Sequence, residues 1–181
     1  MSKKYLFCFL LLISFFFFAC DSTQTLNNQP TNITNNKNPI NTETINLSPD
    51  FKPITGQIIY IPVYSNIYHS NQQRSHNLAV TVSFHNIDLD NSIIIKSVKY
   101  YDTQGNLIDD YLASPVTLKP LASTNFYIED SDIRGGIGAN FLMEWVADKK
   151  VVKPFAESVM ISTASTQGIS FTSQGRIVKE F

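Results

Sequence analysis

An all-β fold, specifically an antiparallel immunoglobulin-like β-sandwich behind a signal peptide and a disordered linker, is predicted by three features of the 181-residue chain. After about residue 55, apolar and polar residues alternate in short runs, as in Leu78, Val80, Val82 and Phe84. Alternation puts one face of a strand into a core and the other into solvent. The runs recur roughly every 8 to 12 residues between turn-forming residues, which is sandwich spacing. No stretch of about ten residues carries the apolar period of an amphipathic helix.

The chain opens with Lys3 and Lys4, continues almost wholly apolar from Tyr5 to Phe18, and reaches Ala19-Cys20 before the polar Asp21. A basic start, an apolar run and a small residue at its exit make a secretory signal. The run is about 14 residues, shorter than the roughly 20 that a comfortable membrane span requires. A cysteine at the exit predicts a lipoprotein signal over residues 1–19, cleaved to leave a lipid-carrying Cys20 as the new N-terminus. Phe17-Phe18-Ala19-Cys20 matches the usual lipoprotein box in its last two positions. Ordinary secretion, with cleavage after Ser22, is the other reading. The lipidated form holds the chain to a bacterial membrane through Cys20, with the domain facing the periplasm or the exterior.

Residues 20–54 form the lipidation site and linker. Eight asparagines between Asn27 and Asn46, threonines, and Pro30, Pro39 and Pro49 leave no apolar period from Asp21 to about Asp50. Such a stretch buries too little surface to offset its ordering entropy. As a coil of about 30 residues it reaches roughly 30 Å, suiting a domain held near a membrane. Beyond Lys3 and Lys4 the charges are 12 basic against 15 acidic, so nucleic-acid binding lacks electrostatic support. The cysteines are Cys8 and Cys20 alone, and the domain folds without a disulfide.

The domain then spans residues 55–181. His76 to Phe84 alternates as one strand. Ile93 to Tyr101 and Leu107 to Leu112 flank Asp102-Thr103-Gln104-Gly105-Asn106 as a hairpin. Val116 to Leu118 is a short strand between prolines. Thr124 to Ile128, Asn140 to Val146, Glu157 to Ile161, Ile169 to Thr172 and Arg176 to Val178 complete the set.

Three groups of residues are candidates for binding. Arg134-Gly135-Gly136-Ile137-Gly138 concentrates glycine, whose left-handed freedom lets successive N–H groups converge on an anion beside Arg134. The same segment also reads as a tight strand connection with Arg134 paired to Asp130 or Asp132. Tyr60, Tyr64 and Tyr68 share one face if the strand is continuous, offering stacking for a glycan or an edge for a peptide. They equally read as the cover of a sheet. Pro62 between them implies an edge or a bulge. His69, with His76 and His85, matches no zinc spacing. Asp88-Leu89-Asp90-Asn91 and Glu129-Asp130-Ser131-Asp132 lack the calcium-loop pattern and read as solvated acidic turns. No catalytic motif is present, so neither a cofactor nor enzymatic chemistry is expected. The expected role is an envelope interaction module, with a protein or glycan partner; a small-ligand receptor is the alternative.

Several phrases carry a resemblance. They are Gly56-Gln57-Ile58-Ile59-Tyr60-Ile61-Pro62-Val63-Tyr64-Ser65, Ile67-Tyr68-His69 and Val98-Lys99-Tyr100-Tyr101-Asp102. Leu118-Lys119-Pro120-Leu121-Ala122-Ser123-Thr124, Ser131-Asp132-Ile133-Arg134-Gly135-Gly136, Gly138-Ala139-Asn140-Phe141 and Gln167-Gly168-Ile169-Ser170-Phe171 follow in order. From Gly56 to about Val178 the chain resembles the bacterial, largely cyanobacterial family known as domain of unknown function 3124. The resemblance implies an exported, often lipid-anchored domain and carries over no activity and no binding residues.

Overall fold

In the computed structural model, which describes residues 42–164 and 168–181, the expected antiparallel sandwich forms. The signal and Cys20 lie outside the described residues. The strands, in chain order, are β1 (Glu43–Thr44), β2 (Thr55–Pro62), β3 (Asn66–His69), β4 (Asn71–Asn77), β5 (Ala79–His85), β6 (Ile93–Tyr101) and β7 (Leu107–Asp110). They continue with β8 (Val116–Leu118), β9 (Ser123–Ile128), β10 (Asn140–Ala147), β11 (Phe155–Ser162), β12 (Ile169–Gln174) and β13 (Arg176–Glu180). One sheet has the order β1-β8-β6-β10-β2-β13, with β7 also paired to β6; the other has the order β12-β11-β5-β9. β3 and β4 make a separate hairpin.

The alternation read from sequence is what closes the core. Val80, Val82 and Phe84 of β5 face Ile59, Ile61, Val98, Tyr100, Phe141, Met143 and Trp145 of the other sheet, all buried in one cluster. Opposite Glu144 and Trp145 of β10, β6 carries an extra residue, Lys96, and the alternation of β6 breaks there. Trp145 and Ala147 continue the alternation of β10, and Val146 is buried on its opposite face.

Two boundaries differ from the sequence reading. His76 to Phe84 is not one strand. It breaks at the buried Leu78, whose N–H bonds Ser65 O, so that β4 belongs to the hairpin and β5 to the sheet. Order also begins before Thr55. Glu43 and Thr44 pair with Thr117 and Val116, and Ile45 N–H bonds Pro115 O. Residues 42–54, assigned to the linker on composition, thus lie against the domain, held by backbone pairing of residues 43–45 to the β8 segment, by Ile54 N–H on Ala147 O and by the partly buried Ile45, Leu47 and Phe51.

Pro62 ends β2. Val63 N–H bonds Ala139 O on the β10 side, so the Pro62 nitrogen turns to the side where β13 has already stopped, at Arg176 opposite Tyr60. The missing donor therefore costs no ladder bond.

Candidate functional site

The strand ends divide the sandwich into two poles. One pole gathers the connection before β2, the loops 86–92, 119–122 and 148–154, and the C-terminus. Ile93 lies opposite Leu118, His85 opposite both Ser123 and Phe155, and Thr55 opposite Ala147. The other pole carries the 102–106 turn, the β3–β4 hairpin and the 129–139 connection that holds Arg134.

The Arg134 segment is the tight connection between β9 and β10. Arg134 Nη2 bonds Asp132 Oδ2 at 2.6 Å and Asp109 Oδ2 at 3.1 Å, while Nε bonds Asp132 Oδ1 at 2.8 Å. The Asp132 hydrogen bonds, with Asp109 behind them, hold the guanidinium above its usual pKa. The backbone donors of the segment have internal partners. Arg134 N–H bonds Asp132 Oδ1, Gly136 N–H bonds Ile133 O, Gly138 N–H bonds Thr103 Oγ1, and Gly135 N–H serves the Tyr100 hydroxyl. These donors turn inward, so the anion reading of Arg134, Gly135 and Gly136 gains no geometric support. Gly136 is left-handed at φ +73°, whereas Gly135 is right-handed at φ −68°. Gly135 is required for space: a Cβ there would run into the Tyr100 hydroxyl, and meet Ser65 Oγ at 2.6 Å and Ala139 Cβ at 2.7 Å. Tyr100 is fully buried, its hydroxyl 2.7 Å from Ser65 Oγ, and burial raises its pKa.

The tyrosines do not form one row. Tyr60 lies in β2, between β10 and β13; Tyr64 lies past its end and packs edge-on to Phe171 at 5.8 Å; Tyr68 is exposed on β3. The strand break at Pro62 is the reason, since the two-residue period extends only as far as the strand. His69 stacks on His76 at 4.0 Å across the hairpin. Among the described residues no three His, Cys, Asp or Glu side chains are placed to hold a metal ion.

The loop pole depends on two residues that composition did not single out. Asn86 is buried and its Nδ2 donates to the carbonyls of Asn91, Leu118 and Lys119 at 2.8, 3.2 and 3.0 Å. Asp88 sits in the segment read as a solvated acidic turn, but it is buried. Its Oδ1 accepts from the N–H groups of Asp90 and Asn91, its Oδ2 from Val152 N–H at 2.8 Å, and its carbonyl from Leu121 N–H. Three loops are thereby bound to one residue, two of them through its carboxylate. The available signal was the Asn-x-Asp-x-Asp-Asn pattern of Asn86 to Asn91, which suits side chains that bond backbone two residues on.

The Asp90 N–H, followed by that of Val152, lowers the Asp88 pKa to about 2. A depressed folded-state pKa gives stability that is complete above the ordinary carboxylate value of about 4 and is lost as pH falls through about 2. Thermal melts of the wild type should therefore fall more steeply with acid in that window than those of Asp88→Asn. Parallel acid profiles would mean that Asp88 does not hold the loops.

Among curated proteins no relative matches. A crystal structure of Thermotoga maritima 1070 is similar with a TM-score of 0.41 at 9% identity, covering 66% of this chain and 92% of that one. The sequence profile described as "Protein of unknown function (DUF3124)" matches residues 56–178, from the second residue of β2 into β13. The chain belongs to the family of proteins of unknown function DUF3124.

Proposed function

We propose that this protein is an exported, lipid-anchored β-sandwich that acts as a non-enzymatic interaction module of the bacterial envelope. The observation that carries the reading is the N-terminal order of Lys3-Lys4, the apolar run to Phe18, Ala19-Cys20, and then a polar Asn-rich stretch. This is the layout of a signal that ends in an acylated cysteine, followed by a leash. The disposition of the domain's polar groups supports the second half. Arg134, Asp109, Asp132, Asn86 and Asp88 bond to one another or to the backbone, and Tyr100 to the Ser65 hydroxyl. At its loop pole the domain also exposes Leu89, Leu121 and Val152, which suit contact more than chemistry.

The test is the intact mass of the protein purified from membranes, beside a Cys20→Ser variant. A mature chain beginning at Cys20, with added acyl mass that the variant lacks, is the expected result. A chain cut after Ser22, or one retaining Met1 without lipid, overturns the anchor.

A further inference from the structure

We propose that the loop pole is a membrane-docking surface, on which Leu89, Leu121 and Val152 insert side by side into a lipid bilayer. The orientation deepens the tethered-module reading, on which its biological setting rests. The three side chains are 71, 67 and 52% exposed, on three different loops. Because Leu121 N–H bonds Asp88 O and Val152 N–H bonds Asp88 Oδ2, the residue preceding Leu89 fixes the loops to one another. The tips are thus held as a rigid group. Leu121 also occupies the left-handed region at φ +56°, where a side chain adds strain and glycine or asparagine fits better. A leucine in that conformation, facing water, contributes no packing to this domain. An apolar side chain of this size gains free energy by leaving water for the hydrocarbon boundary.

Two observations identify the occupant as a lipid surface. The first is where the chain arrives. β1 runs antiparallel to β8, Glu43 lies opposite Thr117, and Lys119 bonds Glu43 at 2.9 Å. Thr42 therefore stands at the loop pole. From Cys20 to Thr42 the covalent limit is about 75 Å, so an anchor at Cys20 permits this pole to meet the bilayer. The second is charge. At the loop pole, over residues 42–54, 86–92, 119–122, 148–154 and 179–181, six lysines balance six Asp and Glu side chains, and Lys119 and Lys153 pair with Glu43 and Glu180. At the far pole Asp102, Asp109, Asp110, Glu129, Asp130 and Asp132 outnumber Arg74, Lys99 and Arg134 by six to three. An anionic membrane repels the acidic pole and leaves the charge-balanced one free to approach.

The test uses the full chain, made by cell-free synthesis in a Cys8→Ser/Cys20→Ser background. The Tyr5–Phe18 segment then holds it to phosphatidylcholine vesicles whether or not the native protein is acylated. A single cysteine at position 89, 121 or 152, or at the far-pole positions 107 or 133, carries an environment-sensitive dye. Leu107 and Ile133 are each 52% exposed, as is Val152, so the dye's own affinity for lipid cancels in the comparison. Quenching by spin-labelled lipid should be several-fold stronger at 89, 121 and 152, with a blue shift that persists in about 0.5 M salt, where ionic contacts are screened. Equal quenching at both poles overturns the proposal, as does loss of the shift in salt. Shielding from iodide at 89, 121 and 152 without lipid quenching also overturns it, and assigns the pole to a protein partner or a second copy. Because this background cannot be acylated, a negative result here and a negative result in the Cys20 mass measurement are separate outcomes.

Discussion

Replacing Asn86 by alanine should lower stability by about 3 kcal/mol, because one buried and two part-buried carbonyls and one N–H lose their partner together. Asn86 Nδ2 supplies Asn91, Leu118 and Lys119, and its Oδ1 accepts from Asp88 N–H at 3.1 Å. Asn86 is 1% exposed. Urea denaturation should show a lower midpoint with an unchanged slope, since the loops are tied to the same cooperative core. Asn86→Asp should be no milder, because a carboxylate cannot donate to the three carbonyls. A loss below about 1 kcal/mol would mean that the loops are held by strand pairing alone.

Gly135→Ala should cost about 2 to 3 kcal/mol, the upper part of the range for forcing a methyl into a filled interior. The backbone there is right-handed and accepts alanine; the obstacle is the Tyr100 hydroxyl, with Ser65 and Ala139 behind it. Making room breaks the Tyr100–Ser65 hydrogen bond of 2.7 Å. The double variant Gly135→Ala/Tyr100→Phe should therefore recover part of the loss. If the second substitution makes matters worse by its full single-variant amount, the two sites are independent and the steric account fails.

How much was legible depended on the range of the interaction concerned. The β6–β7 hairpin appeared in sequence because strand, turn and strand are adjacent, and Asp102 closes the turn onto Gln104 and Asn106. β8 to β13 were legible through local alternation and punctuation. The break at Leu78 was not, since Leu78 continues the alternation of β5 and only its bond to Ser65 detaches β4. Gly135 was noticed, but for the wrong property: its use is set by Tyr100, 35 positions away in sequence, not by its own dihedral angles. Arg134 was correctly paired with Asp132, two residues away. Its second partner, Asp109, arrives through β7 and has no local signature.

The sequence by itself determined the sandwich class and most of its strands, because alternation, turn residues and missing helical period are properties of neighbours along the chain. The tertiary structure alone decided which polar residues are satisfied, where the ordered domain begins, and which apolar side chains share a pole. Those depend on pairings between distant strands: β1 with β8, β7 with β6, and three loops on Asp88. A buried carboxylate and a solvated one are written with the same letter, and only the N–H groups brought to it by the fold distinguish them.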